Sequence, residues 1–277
     1  QSIGKNVGIV SRGYGRSSKN VKLVTDGVNK PYSWEQYGDE AFLLSQNLNY
    51  IPIVVGESKY EAGLKITSEF NLDAIIIDDG FQHRSLHRDL DIVLINSRDN
   101  PRTHKLLPMG NLREKIHGLE RADLIICTKT NVHKNLSYLN RLLENINVEK
   151  INSTLEPKSM LIGQDKKKVN KSDIISKNIY LLSAIGDNSG FKKTVERIGV
   201  NIVGHSKFVD HFKFKISDLK KAQKDAKKVD ANFIITTEKD LIKMEGVSFE
   251  IPIYALKIKI HFSPEGKLED RVNNLFI

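Results

Sequence analysis

Ala74-Ile75-Ile76-Ile77-Asp78-Asp79-Gly80-Phe81-Gln82-His83 is the stretch on which the fold reading turns. An apolar run that does not alternate with polar residues reads as a strand buried on both faces. This strand delivers two carboxylates to its C-terminal end, where open α/β sheets bind ligands. Hard carboxylate oxygens at that point suit Mg²⁺ held against nucleotide phosphates, the arrangement of a Walker-B strand. Asp78-Asp79-Gly80 is also the composition of a plain turn, and the segment alone leaves both readings open.

Outward from it, residues 7–10, 51–55, 92–95 and 124–127 are similar short apolar runs, all expected to be buried on both faces of a parallel sheet. Helical stretches separate some of them. Ser58-Lys59-Tyr60-Glu61 has the capping-box form and is followed by the i,i+4 pairs Ala62/Ile66 and Ile66/Phe70. Asp39 is placed to cap a helix that carries Ala41, Phe42, Leu43, Leu44 and Leu48. This alternation predicts an α/β fold with helices covering the sheet.

The rhythm fades between Leu143 and Asn178, where Lys166, Lys167, Lys168 and Lys171 mark residues 164–172 as an exposed loop or hairpin. Strand-like runs resume at residues 179–182, 201–203, 233–235 and 251–256, with helical stretches at 191–198 and 219–229. A boundary near residue 150 divides the chain into a first domain over residues 1–150 and a smaller α/β domain over 151–277.

The 277 residues suit two domains, and 39% hydrophobic content with 7% aromatics excludes wholesale disorder. Subtracting 34 acidic from 43 basic side chains gives +9, which suits an anionic partner: nucleic acid, an acidic membrane surface or a phosphorylated substrate. A single cysteine, Cys127, excludes a disulfide framework and a Cys-based zinc site, and points to a reducing, cytoplasmic setting. No apolar run approaches the roughly 18 residues of a membrane span.

A Walker-B carboxylate works with a phosphate-cradling G-x-x-x-x-G-K-[ST] loop between a strand and a helix. Gly4-Lys5-Asn6 lacks the earlier glycine and the hydroxyl, and it leads into a strand. Any such loop is therefore expected to precede Gln1. Ser11-Arg12-Gly13-Tyr14-Gly15-Arg16 offers close backbone approach and two guanidinium forks for phosphate, or a flexible turn with solvated arginines. Gly110-Asn111-Leu112-Arg113-Glu114 presents an adjacent cation and anion on a loop. Tyr37-Gly38-Asp39-Glu40 supplies a carboxylate base or merely an N-cap. Val209-Asp210-His211-Phe212 sets a histidine among apolar neighbours, and Thr237-Glu238-Lys239-Asp240 has the form of a helix start. Lys220, Lys221, Lys224, Lys227 and Lys228 stud a helix with a small apolar face, which reads as a solvated surface rather than a lipid-docking one.

The order of these segments resembles the tetraacyldisaccharide 4'-kinase family. The series is Ser11-Arg12-Gly13-Tyr14-Gly15, Gly38-Asp39-Glu40, Asp78-Asp79-Gly80-Phe81-Gln82-His83, Leu107-Pro108 with Gly110 and Leu112-Arg113-Glu114, Asp210-His211, and Thr236-Thr237-Glu238-Lys239-Asp240. The resemblance implies a P-loop NTPase-like parallel-sheet domain joined to a smaller α/β domain. It implies ATP-dependent phosphorylation of the 4'-hydroxyl of an acylated glucosamine disaccharide 1-phosphate, the lipid A precursor, with Mg²⁺, peripheral to the cytoplasmic face of the bacterial inner membrane. Asp39 then matches a general base and His211 its imidazole partner. Asp78 and Asp79 match the acidic pair around Mg²⁺, with Glu114 as a further metal-side carboxylate. Arg113 and Arg12 match arginines near the phosphates, and Gln82 and His83 match positions on the disaccharide side.

Departures from the family pattern are Pro108-Met109-Gly110 for Pro-Ala-Gly, Asp210-His211-Phe212 for Asp-His-His, and Lys59 where an arginine fork follows the Val-Val-Gly strand end. The family's phosphate loop and N-terminal apolar helix lie upstream of the matched series, so residues 1–277 alone are expected to be inactive. A non-catalytic lipid- or protein-binding relative that has lost ATP binding is the alternative. A nucleic-acid binder, suggested by charge alone, has no recognisable motif or aromatic platform here.

Overall fold

The computed structural model describes residues 2–102, 104–133, 136–162 and 168–277. In chain order the elements are β1 (Val7–Ser11), β2 (Lys22–Thr25), α1 (Asp39–Asn47), β3 (Ile53–Val55), α2 (Lys59–Glu69), β4 (Ala74–Ile77), β5 (Ile92–Asn96), β6 (Leu124–Thr128), α3 (Leu136–Leu142) and β7 (Glu149–Ile162). There follow β8 (Lys168–Val169), β9 (Asn178–Ser183), α4 (Asn188–Glu196), β10 (Asn201–Lys207), α5 (Ile216–Lys228), β11 (Phe233–Thr237), α6 (Glu238–Leu241), β12 (Ile253–Ser263) and α7 (Lys267–Asn273).

Two compact units form, and both are discontinuous in sequence. One gathers Gln1–Leu86, Ser159–Asn188 and Ile198–Lys257; the other gathers His87–Lys158, Ser189–Arg197 and Ile258–Ile277. The single boundary near residue 150 expected from the fading rhythm is therefore not how the chain packs, because long strands β7 and β12 each contribute to both units.

In the first unit, β2-β3-β1-β4 form one sheet, with β1 parallel to both β3 and β4 and β2 antiparallel to β3. Strand residues alternate between two covers. Ile9, Ile53 and Val55 pack with Ala41, Leu44 and Leu48 of α1 and its C-terminal turn, while Val10 and Val54 pack with Ala62 and Ile66 of α2. Burial on both faces thus holds for β1 and β3. It fails for β4, the last strand of this sheet, where Ile75 and Ile77 join the α2 cluster but Ile76 is 58% exposed. The same unit carries β10-β9-β11-β12, all parallel, whose Tyr180, Leu182, Ile234 and Ile253 pack on Leu219, Ala222 and Ala226 of α5. The apolar stripe of α5 is consumed by this core and its five lysines face outward, in keeping with a solvated face.

In the second unit the order is β12-β7-β6-β5, with β5, β6 and β7 parallel around Leu124, Ile126 and Ile151. Leu94 on the outermost strand β5 is 65% exposed, a second departure from two-sided burial. Of the lysine-rich stretch, Lys166 and Lys167 lie outside the described residues. Its flanks pair as an antiparallel β7–β8 hairpin, Leu161 opposite Lys168.

Candidate active site

The loop after β1 and the start of α1 meet through two glycines. Gly38 has φ 92° and a Cβ there would lie 2.7 Å from the Tyr14 carbonyl oxygen; Gly13 has φ 66° and its Cβ would lie 2.6 Å from that of Tyr37. Only glycine permits both the left-handed backbone and the approach. Gly38, not Asp39, is the N-cap residue of α1, so Asp39 is the first helical residue and its carboxylate is not used as a cap. It is 3% exposed, and Oδ1 accepts the Glu40 N–H at 2.9 Å.

Both Asp39 oxygens lie 3.1 Å from Nδ1 of His211. A carboxylate so placed fixes the tautomer with the proton on Nδ1, which leaves Nε2 as the imidazole's accepting atom. His211 itself sits at φ 56°, a left-handed conformation costly to a residue with a Cβ, and its ring lies 4.5 Å from that of Tyr14. Strain of this kind is held in place by surrounding contacts and gathers at functional sites.

Two lysines complete this cluster. Lys243, whose side chain is wholly buried, lies 2.8 Å from Asp240, 3.7 Å from Asp39 Oδ2, and donates to the Phe212 carbonyl at 3.2 Å. Lys239 donates to Asp210 at 2.6 Å and lies 3.7 Å from Glu40. Thr237-Glu238-Lys239-Asp240 is the expected helix start, with Thr237 Oγ1 accepting the Asp240 N–H. Its second role was not read from the sequence: the two lysines, one turn apart, face the acidic side of the cluster. Burial pushes the Asp210 carboxyl up, but the hydrogen bond and charge of Lys239 outweigh it and the net shift is downward. Burial pulls the Lys239 ammonium down, and Asp210, Asp39 and Glu40 together reverse that, leaving it raised. Burial raises the Glu40 carboxyl, opposed by Lys239 and His211.

At the carboxyl end of β4, the Asp78 N–H bonds to the Val10 carbonyl and Asp78 Oδ2 accepts the Ser11 hydroxyl at 2.9 Å. Asp79 turns the chain at φ 51°. Both carboxylates are exposed. Among the described residues no group of three His, Cys, Asp or Glu side chains forms a metal cage by itself. Mg²⁺ asks for less, since one or two carboxylates plus phosphate oxygens and waters satisfy its octahedron, and the Asp78–Asp79 pair fits that requirement. Arg12 is exposed at the same sheet end, whereas Arg16 is spent within its own loop, donating to the Lys19 and Asn20 carbonyls. Gln82 and His83 follow in the next turn, Gln82 exposed and His83 half-buried. Arg113 and Glu114 belong to the second unit, where both Glu114 oxygens accept from Arg121 at 2.8 and 2.9 Å.

This is the layout of an α/β protein that gathers polar chemistry at the carboxyl ends of parallel strands. A profile of the tetraacyldisaccharide-1-P 4'-kinase family matches residues 1–276. A tetraacyldisaccharide 4'-kinase of Aquifex aeolicus is 31% identical over 98% of this chain and 79% of its own length. The enzyme of the same name from Bdellovibrio bacteriovorus is 32% identical over 87% of this chain and 71% of its own. A crystal structure of LpxK from Aquifex aeolicus in complex with ATP covers all of this chain and 81% of that one, with a TM-score of 0.77 at 30% identity. The chain belongs to the tetraacyldisaccharide-1-P 4'-kinase family.

Proposed function

We propose that this protein transfers the γ-phosphate of ATP to the 4'-hydroxyl of an acylated glucosamine disaccharide 1-phosphate in lipid A synthesis, at the cytoplasmic face of the inner membrane. Family membership supports the reaction class, and the observation that carries the chemistry is the Asp39–His211 pair. Phosphoryl transfer demands positioning and charge neutralisation more than covalent chemistry. In this reading the Asp39–His211 dyad orients the acceptor hydroxyl and takes its proton, and Lys243 balances the buried Asp39 charge. Asp78 and Asp79 would hold Mg²⁺, which when bound neutralises charge on the transferred phosphoryl group. In the same reading Arg12 serves the phosphates, and Gln82 and His83 serve the disaccharide.

The test is phosphotransfer from ATP to the disaccharide by the complete gene product. Asp39→Asn is expected to lower kcat by about 10²- to 10⁴-fold, the usual range for a positioned general base. Activity near the unaltered level would sink the base assignment. The sequence of residues 1–277 contains no G-x-x-x-x-G-K-[ST] loop, so this stretch expressed alone is expected to show no ATP turnover; robust turnover would overturn that.

A further inference from the structure

Asn188, the first residue of α4, has no part in the site as described, yet it grips the chain just before His211. Its Nδ2 donates to the Phe208 carbonyl at 3.1 Å, and the Phe208 N–H donates to the Ser183 carbonyl at 2.9 Å. Both backbone groups of Phe208 are thereby tied to the end of β9 and the turn after it. From there Val209 and Asp210 lead to His211, and the Phe212 N–H closes the turn onto the Val209 carbonyl at 3.3 Å. The Phe208 and Phe212 rings meet across it, 4.6 Å apart. The left-handed backbone of His211 persists only where its neighbours hold the chain on both sides. Lys243 holds the far side through the Phe212 carbonyl. Asn188 holds the near side.

Asn188 is itself aimed by a chain of side chains whose direction follows by elimination. A carbonyl oxygen only accepts, so Phe208 fixes the amide nitrogen of Asn188 toward itself and the amide oxygen toward Ser183. Ser183 Oγ, in a wholly buried residue, therefore spends its one proton on Asn188 Oδ1 at 2.5 Å. Its other contact, 2.7 Å to His205 Nε2, must then be donated by the imidazole. His205 and Ser183 share a face of the sheet, because Lys207, two residues on, lies opposite Ser183. The turn between Ser183 and Asn188 also touches the other supports of the dyad. The Ala184 N–H donates to Asp240, the partner of Lys243, and a Cβ on Gly186 would lie 3.3 Å from Asp210 Oδ2. All of these residues belong to the first unit.

We propose that Asn188, oriented by Ser183 and His205, is a positioning residue for the Asp39–His211 dyad. It fixes where the strained turn starts, and so where the His211 ring stands against Asp39. The effect on phosphoryl transfer rests on the kinase reading above; the hold on His211 does not.

The experiment reads the imidazole nitrogen signals of the 277-residue protein carrying isotope-labelled histidine. The His211 and His205 signals are assigned by their loss in His211→Gln and His205→Gln. In the unaltered protein the proton is expected on Nδ1 of His211 and on Nε2 of His205. Asn188→Asp keeps the oxygen that Ser183 meets and sets an anion in the first turn of α4, where the helix favours it, so the fold is expected to hold. It removes the donor to Phe208. Asn188→Ala removes that donor without adding charge and serves as the second variant. In both, the His211 signals are expected to move toward those of a free imidazole, whose proton is shared between the two nitrogens. In the complete gene product both variants are expected to lower kcat by about 10- to 100-fold, the usual effect of a misplaced catalytic group. KM for ATP and for the disaccharide is expected to stay within about 2-fold, because alignment of the dyad is lost and not a substrate contact. His211 signals that stay in place in both variants overturn the proposal, and so does a loss confined to KM. A changed His211 tautomer in a protein that transfers no phosphoryl group keeps the positioning role and discards the kinase reading. Transfer by both variants at the unaltered rate, with His211 unmoved, does the reverse.

Discussion

Lys243 shows how a single buried side chain ties stability to the site. Its ammonium serves Asp240 and Asp39 together, and Asp240 also accepts from the Ala184 N–H and the Thr237 hydroxyl. Lys243→Met strands a fully buried carboxylate and is expected to cost about 3–5 kcal/mol, measured by urea denaturation. A double-mutant cycle with Asp240→Asn should recover part of that loss. The Asp210–Lys239 pair gives a pH dependence. Asp210 is held low, so its contribution is present above the unfolded carboxylate range and is lost as pH falls through its lower folded value. Lys239 is held high, so its share is present below the unfolded lysine range and is lost as pH rises through its higher folded value. Between those limits the half-exposed pair is worth about 0.5–1 kcal/mol after solvent screening. Melting curves of Lys239→Met and the unaltered protein should differ across this plateau and converge at its acid end. The meeting of Asp39 with His211 was expected from the family resemblance alone, because nothing in either local segment says that residues so far apart in the chain come into contact. Lys243 and Lys239 were not, because a T-x-x-D helix start looks the same whether its lysines face water or a carboxylate.

At the level of elements, the apolar runs that became β1, β3, β4 and β6 were readable as strands because short apolar runs bounded by polar residues mark them. β2 and β7 were not. Lys22-Leu23-Val24-Thr25 is too short to show a period, and the first residues of β7, Glu149-Lys150-Ile151-Asn152-Ser153, expose polar groups in turn with apolar ones. Burial on both faces is a property of sheet position, which no local run encodes; hence Ile76 and Leu94 departed from expectation. The starts of α1 and α2 were legible to within a residue, whereas α4 and α5 begin three residues before the expected stretches. Ser58→Ala removes the cap of α2 and is expected to cost about 1 kcal/mol by thermal or urea denaturation. Gly38→Ala combines a left-handed backbone with a 2.7 Å contact and is expected to cost about 1–3 kcal/mol. Because Gly38 precedes Asp39, the same change should lower phosphotransfer beyond its effect on folding.

For the whole molecule, the +9 charge is the property that a membrane reads first. No helix among the described residues is long and apolar enough to cross a bilayer, and the apolar face of α5 is already used by the core. We propose that the positive balance draws the protein to anionic surfaces. Cosedimentation with anionic vesicles should exceed that with neutral ones, and should fall as salt rises and the Debye length shrinks from about 30 Å at 0.01 M to about 8 Å at 0.15 M. Binding to neutral vesicles that salt leaves unchanged would refute a charge-driven attachment. The fold class was legible at this scale and the packing units were not, since two long strands shared between units leave no composition shift at a boundary.

The hydrogen bond between Asp39 and His211 joins residues 172 positions apart. On a ribosome adding roughly 5–20 residues per second, His211 emerges about 10–30 s after Asp39. Through that interval β1 to β4 can collapse around a carboxylate that still lacks its imidazole and both lysines. The reactive pair thus forms late, and a nascent chain that ends before His211 holds no dyad.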